Sequence, residues 1–293
     1  MTNFRSGLAR VSLLALALGL AGCSALQNSE PKEGEFPGGV VPPADKLYAQ
    51  GVDHLQKGDY DRAAQDFNAE EENYPYSVWA SHAELLAGYA QYKQQNYDDA
   101  ISTLTRFIGL HPASPEAAYA YYLKALCYYE QIEDVQRDQT TTYEAIQTLQ
   151  DVINRFPDSA YARDARIKLR LAYNRLAGHD MEIGRFYEKQ HLYAAAVGRF
   201  QDVATNYQTT TYTPEALERL VECYLDLGLS DAAVRTASVL GYNYPGSSWY
   251  QAAYGKLQDH GLVTAASEAQ AANGGNAPPP PPPPAKHHLF WIF

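Results

Sequence analysis

The chain has 293 residues, 46% hydrophobic and 12% aromatic, enough for a substantial core of ordinary globular character. Its formal net charge is −11, and no basic run is long enough to track phosphates, which argues against a nucleic-acid surface.

The first 22 residues read as a secretory signal. Arg5 and Arg10 supply a basic start, and Val11 to Leu20 is an apolar run too short to span a bilayer. It ends in Leu20-Ala21-Gly22-Cys23, which resembles the bacterial lipobox. Small residues fit a tight protease subsite, and Cys23 offers a thiol for a lipid thioether. A mature chain starting at Cys23 would carry several acyl chains, and two or more give stable membrane anchoring. The next residue is Ser24 rather than Asp, which in similar bacterial lipoproteins implies export to the outer membrane. Residues 23–43 then read as a flexible tether. Without residues 1–22 the count of charge becomes about −13, since two Arg and no acid are removed.

From 44 to 254 one phrase recurs five times. Its copies open at Ala63-Ala64, Ala100-Ile101, Ala145-Ile146, Ala196-Val197 and Ala233-Val234. Apolar positions follow at one-face helical spacing. The copies close on Tyr74-Pro75, His111-Pro112, Phe156-Pro157, Tyr207-Gln208 and Tyr244-Pro245. Proline lacks an N–H and clashes with the preceding turn, so it halts the helix. Before four of the copies lies a turn (Gly58-Asp59, Gln95-Asn96, Gln190 to Tyr193, Gly228 to Ser230) and, before that, another helical pattern. Capping signals follow the stops at Ser77, Ser114, Ser159, Thr213 and Ser247. The unit is helix, turn, helix, stop, with copies spaced 37, 45, 51 and 37 residues. It resembles the tetratricopeptide repeat, whose period is about 34 residues. The fold class expected is all-α, a helical-hairpin solenoid of about five repeats near 44–76, 81–113, 116–158, 159–209 and 214–246. The irregular spacings locate an insertion at Ile132 to Tyr143 and an unbroken helical pattern over Ser159 to Lys189, which should project from the stack or brace it.

A stack of this kind leaves a concave surface. Tyr89, Tyr92, Tyr119, Tyr121, Tyr122, Tyr128 and Tyr129 fall on first helices, and Tyr89, Tyr92 and Tyr122 are candidates for a polypeptide-binding groove. Catalytic signatures are missing: no HExxH, GxSxG, Walker loop or CxxC occurs, so the chain reads as a non-enzyme with no metal and no cofactor beyond the lipid on Cys23. The acidic runs Asp98-Asp99 and Glu70-Glu71-Glu72 read as solvated. Cys127 and Cys223 lie two repeats apart and read as small buried apolar residues.

Four segments carry a more specific likeness: "NYPYSVWASHAELLAGYAQY", "YDDAISTLTRFIGLHPASP", "RDQTTTYEAI" and "LAGHDMEIGRFYEKQHLYAAAVGRF". With the lipobox, tether and repeats, the chain resembles the BamD family, lipoproteins of the outer-membrane β-barrel assembly (BAM) machine. The resemblance implies a scaffold on the periplasmic face of the outer membrane. Its N-terminal repeats would receive unfolded outer-membrane proteins, and its C-terminal repeats would dock on a POTRA domain of BamA, beside other BAM lipoproteins. The family's arginine in "A-A-V-x-R" matches Arg199, which the resemblance assigns to BamA binding. A different reading of anchor and repeats is an adaptor that recruits proteases or peptidoglycan hydrolases. Residues 255–293 depart from the family pattern, being an Ala/Gly/Pro-rich, disordered-looking tail. It closes on the apolar Leu289 to Phe293, for which folding back into the protein's own groove is one expectation.

Overall fold

The computed structural model describes residues 40–263; Cys23, most of the tether and the Leu289–Phe293 segment lie outside them. Contacts divide the chain after Pro42, and the unit that follows holds the helices. Among the described residues there are eleven helices and no strand. They form five hairpins and a closing helix: α1 (Ala44–Lys57) with α2 (Tyr60–Asn73), α3 (Ala80–Lys93) with α4 (Tyr97–Leu110), α5 (Ala117–Glu130) with α6 (Thr140–Arg155), α7 (Ala160–Lys189) with α8 (Tyr193–Asn206), α9 (Thr213–Asp226) with α10 (Ser230–Asn243), and then α11 (Ser248–Asp259).

One size-complementary pair organises the hairpins. A Cβ added at Gly51 of α1 would lie 2.6 Å from the Phe67 ring of α2. Gly88 meets Leu104 in the same way in the next hairpin, and Gly184 meets Phe200 in the fourth. Each pair is sixteen residues apart in sequence, across one hairpin. The third hairpin uses Ala125 against Leu149, both in one buried cluster. The fifth reverses the sizes, with Val221 on α9 and Ala237 on α10. Phe67, Phe107, Phe200, Leu104, Leu149 and Leu240 are fully buried on second helices. Burying each such side chain stabilises the stack by roughly 1.5–3 kcal/mol.

The turns explain the hairpin geometry. Gly58, Gln95, His191 and Gly228 occupy equivalent turn positions and all have positive φ, between 58° and 76°. The second helices end on Tyr74, His111, Phe156, Tyr207 and Tyr244, all with φ near −130° (−124° to −136°). Proline favours that extended backbone in four copies. Tyr207, followed by Gln208, adopts it without one. Its ring lies 6.1 Å from that of Tyr173 on α7, so the aromatic anchor holds the chain direction there.

Several details differ from the sequence reading. The inserted loop covers Gln131–Gln139, since α6 already begins at Thr140. Ser159 and Ser247 cap their helices, accepting from the Ala162 and Tyr250 N–H groups. Ser77 and Ser114 instead accept from the Trp79 and Glu116 N–H groups within short turns, and each helix starts three residues after its serine. The stack also runs past the expected boundary at 254: α11 reaches Asp259 and Leu257 is buried. Glu70 is not solvated. It is fully buried, at the register position held by Phe107, Val152, Val203 and Leu240 in the other copies, with Ser77 donating to its Oε1. Its other oxygen has no partner.

Cys127 and Cys223 are both free and buried, as the sequence suggested. The long α7 braces the stack. Its first half packs with α5 and α6 through Ala165 and Leu169, and its second half joins the C-terminal core through Ala177 and Met181.

Candidate functional site

First helices touch in the middle of the stack, where α3 meets α5 and α5 meets α7, and α9 meets the closing helix α11. No comparable contact joins α2 to α4, α4 to α6 or α8 to α10. The stack therefore curves with first helices on its concave side.

Tyrosines gather on that side. Tyr89 and Tyr92 on α3, and Tyr119 and Tyr122 on α5, sit at i, i+3 spacing, which puts each pair on one helix face. Tyr161, in the first turn of α7, completes the run. Its ring centroid lies 5.5 Å from that of Tyr119 and 5.3 Å from that of Tyr122. Tyr92 stands 5.9 Å from Tyr97 of α4. All are partly buried. Burial, then Glu130 and neighbouring phenols, pushes the Tyr92 hydroxyl up to about 12. Burial also raises Tyr119, helped by Tyr89, Tyr161 and Tyr92, and Tyr122, which donates to Asp164. These hydroxyls stay protonated near neutral pH and act as hydrogen-bond donors beside large apolar surfaces.

The three sequence-derived candidates, Tyr89, Tyr92 and Tyr122, therefore lie in one continuous patch. Tyr161 was missed because it opens the long helix pattern and gives no repeat signal. Tyrosine combines large contact area with a polar tip.

The first helices farther along are different in chemistry. Arg185 of α7 donates to Glu215 of α9 through Nη2 at 2.6 Å, and Arg219 donates to the same carboxylate through Nε at 2.8 Å. Arg219 also pairs with Glu188. Burial works against the Glu215 charge, but the two arginines outweigh it and hold that carboxyl below its usual range. This network ties α7 to α9. Arg199, on α8, is engaged as well: its Nη1 donates to Asp180 at 3.1 Å, with 41% of its side chain exposed.

Two helix starts in this half break the capping rule. Asp59 and Asn96 precede α2 and α4, whereas Leu192 and Leu229 precede α8 and α10. Neither leucine can cap, and both are about half exposed (53% and 50%). With Leu227 they make an apolar edge along the turns of the last two hairpins. Among the described residues no three His, Cys, Asp or Glu side chains gather to hold a metal, and no helix is long and apolar enough to cross a membrane.

A family model described as an outer membrane lipoprotein (YfiO) matches residues 42–240. The chain belongs to that family. It is 47% identical over 229 residues to the outer membrane protein assembly factor BamD of Caulobacter vibrioides, spanning 78% of this chain and 75% of the relative. It is 42% identical to BamD of Rickettsia prowazekii, over 85% of this chain and 96% of that one. BamD of Neisseria meningitidis is 33% identical over 80% of this chain and 91% of its own. The YfiO match begins just before α1 and ends within α10, so it covers the tyrosine patch, the inserted loop and Arg199.

Proposed function

We propose that this chain is an outer-membrane protein assembly factor that works as a non-catalytic scaffold. The observation that carries the reading is the uncovered tyrosine patch on the concave face, in a chain whose relatives are named for assembly of outer membrane proteins. Unfolded outer-membrane proteins expose alternating apolar side chains and unpaired backbone groups. A row of half-buried phenols offers both ring surface and hydrogen bonds to such a chain.

In this reading Cys23 carries the lipid that anchors the protein to the periplasmic face of the outer membrane. The C-terminal repeats dock on a POTRA domain of BamA, with other lipoproteins of the machine alongside. The apolar edge at Leu192, Leu227 and Leu229 supports a partner there, because N-cap chemistry has been given up for exposed leucines. Arg199 contributes to that docking through the exposed part of its guanidinium. The alternative adaptor role for proteases or hydrolases finds no support in the relatives' names.

The test is copurification from solubilised outer membranes. BamA in the pulldown, lost with Leu192→Asp/Leu229→Asp, is the expected outcome. Periplasmic hydrolases without BamA would overturn the assembly reading.

A further inference from the structure

The inserted loop borders an open cavity of about 530 Å³ against α7 and the turn before α9. Its walls are firm. The His179 ring nitrogen Nδ1 bonds to the Val135 carbonyl, and Asn174 Oδ1 accepts from both the N–H and the hydroxyl of Thr211. Gly178 lets Tyr212 and Val135 close on α7: a Cβ there would lie 3.1 Å from each. Ile132, Val135 and Leu171 supply an apolar wall, and Tyr129, Tyr212 and Arg175 supply polar atoms.

Arg175 is the anomaly. Four arginines among the described residues are partly buried: Arg175, Arg185, Arg199 and Arg219. Three of them hold a carboxylate of this chain. Arg175 has no hydrogen-bond or ion-pair partner among the described residues, and neither do the Tyr129 and Tyr212 hydroxyls, which share the cavity. A partly buried guanidinium is matched best by a carboxylate, which it can take through two parallel N–H donors. Glu130, also on the cavity and exposed, makes no ion pair with it.

We propose that this cavity is a carboxylate-recognition site for an extended peptide: Arg175 takes the carboxylate, the Tyr129 and Tyr212 hydroxyls donate to it, and an adjoining aromatic or branched apolar side chain fills the wall of Ile132, Val135 and Leu171. It deepens the scaffold reading, on which its identification as a peptide site rests, by giving one point of the scaffold a charge preference. Either a chain terminus or an acidic side chain can supply the carboxylate.

The probes are N-acetyl-phenylalanine, its amide, and N-acetyl-phenylalanyl-aspartic acid α-amide, whose side-chain carboxylate is free, titrated into the full chain by calorimetry or NMR. The free acid is expected to bind at least about tenfold more tightly than the amide, the effect of one charge-assisted contact. Comparable binding of the aspartyl probe assigns the source to acidic side chains; preference for the free acid assigns it to a terminus. Arg175→Gln and the shape-conserving Tyr212→Phe should each weaken the acid, with Arg175→Gln removing its advantage over the amide. Glu130→Gln should strengthen it. Equal binding of acid and amide, no binding of either acid, or an unchanged Arg175→Gln variant with native circular dichroism overturns the site. Capture of unfolded outer-membrane protein, measured in parallel, reports separately on the scaffold reading.

Discussion

Gly51 lies against the Phe67 ring so closely that an added methyl would sit 2.6, 2.8 and 2.9 Å from three ring atoms. Two opposing effects act on Gly51→Ala. Alanine gains about 1 kcal/mol in helix propensity, while overpacking a rigid ring costs about 1–3 kcal/mol. The ring cannot yield by rotamer change alone, so net destabilisation of about 1–2 kcal/mol is expected in denaturant melts. Phe67→Leu on the same chain should recover part of it. Gly198, exposed on α8, faces nothing within 4 Å, so Gly198→Ala should show only the propensity gain and raise stability.

Glu70 makes stability depend on pH in an unusual direction. Burial raises its carboxyl above the usual range, with the Ser77 hydrogen bond opposing more weakly. A raised folded-state pKa means that its contribution is fully present below the unfolded value. That contribution is lost as pH rises through the folded value. Glu70→Gln keeps the shape without the charge. Its melting point should match the parent near pH 4 and exceed it at pH 8 by about 2–4 °C, equivalent to about 1 kcal/mol. An equal difference at both pH values would show that Glu70 is not the titrating group.

Gln95 holds φ of 64° with an exposed side chain that makes no hydrogen bond among the described residues. The left-handed backbone costs a non-glycine residue about 1–2 kcal/mol, and glycine's greater unfolded freedom returns about 0.5–1. Gln95→Gly should therefore stabilise by about 0.5–1 kcal/mol in thermal unfolding. His191, with φ of 58°, gains less from the same change, because its Nδ1 bonds to the Tyr193 hydroxyl at 2.8 Å.

Much of this architecture was legible as sequence. The helical period, the turns between helices and the aromatic stop identified the hairpins and the long α7. Tertiary context hid the rest. Glu70 reads as one of three acidic residues in a row, and only the helix register, with Ser77 folding back onto it, makes it a core residue. The Gln131–Gln139 loop reads as an insertion, but the cavity beneath it depends on residues from α7 and the Tyr212 turn, up to eighty positions away in sequence. Residues 255–259 read as tail because no further copy of the phrase follows them in the sequence, yet they complete α11.

Arg199 needs variants that separate docking from stability. Charge reversal would set a carboxylate beside Asp180, whose own carboxyl is raised by burial despite Arg199. Arg199→Glu should therefore cost about 1–3 kcal/mol of stability on its own, from the unpaired, partly buried Asp180. Arg199→Gln with Asp180→Asn removes both charges and should restore the melting point. If that pair of changes still weakens BamA copurification, the guanidinium contacts the partner directly; recovery of copurification together with stability would confine Arg199 to holding α7 and α8.

Site-specific photocrosslinking addresses the concave face most directly. A photoreactive residue replaces Tyr89, Tyr92 or Tyr122 in turn, or Thr105 on the exposed side of α4 as a control, and an unfolded outer-membrane protein is added. Adducts from the three tyrosine positions, and none from Thr105, are the expected result. Adducts from Thr105 alone, or equal yields from all four positions, would contradict a polypeptide-binding inner face.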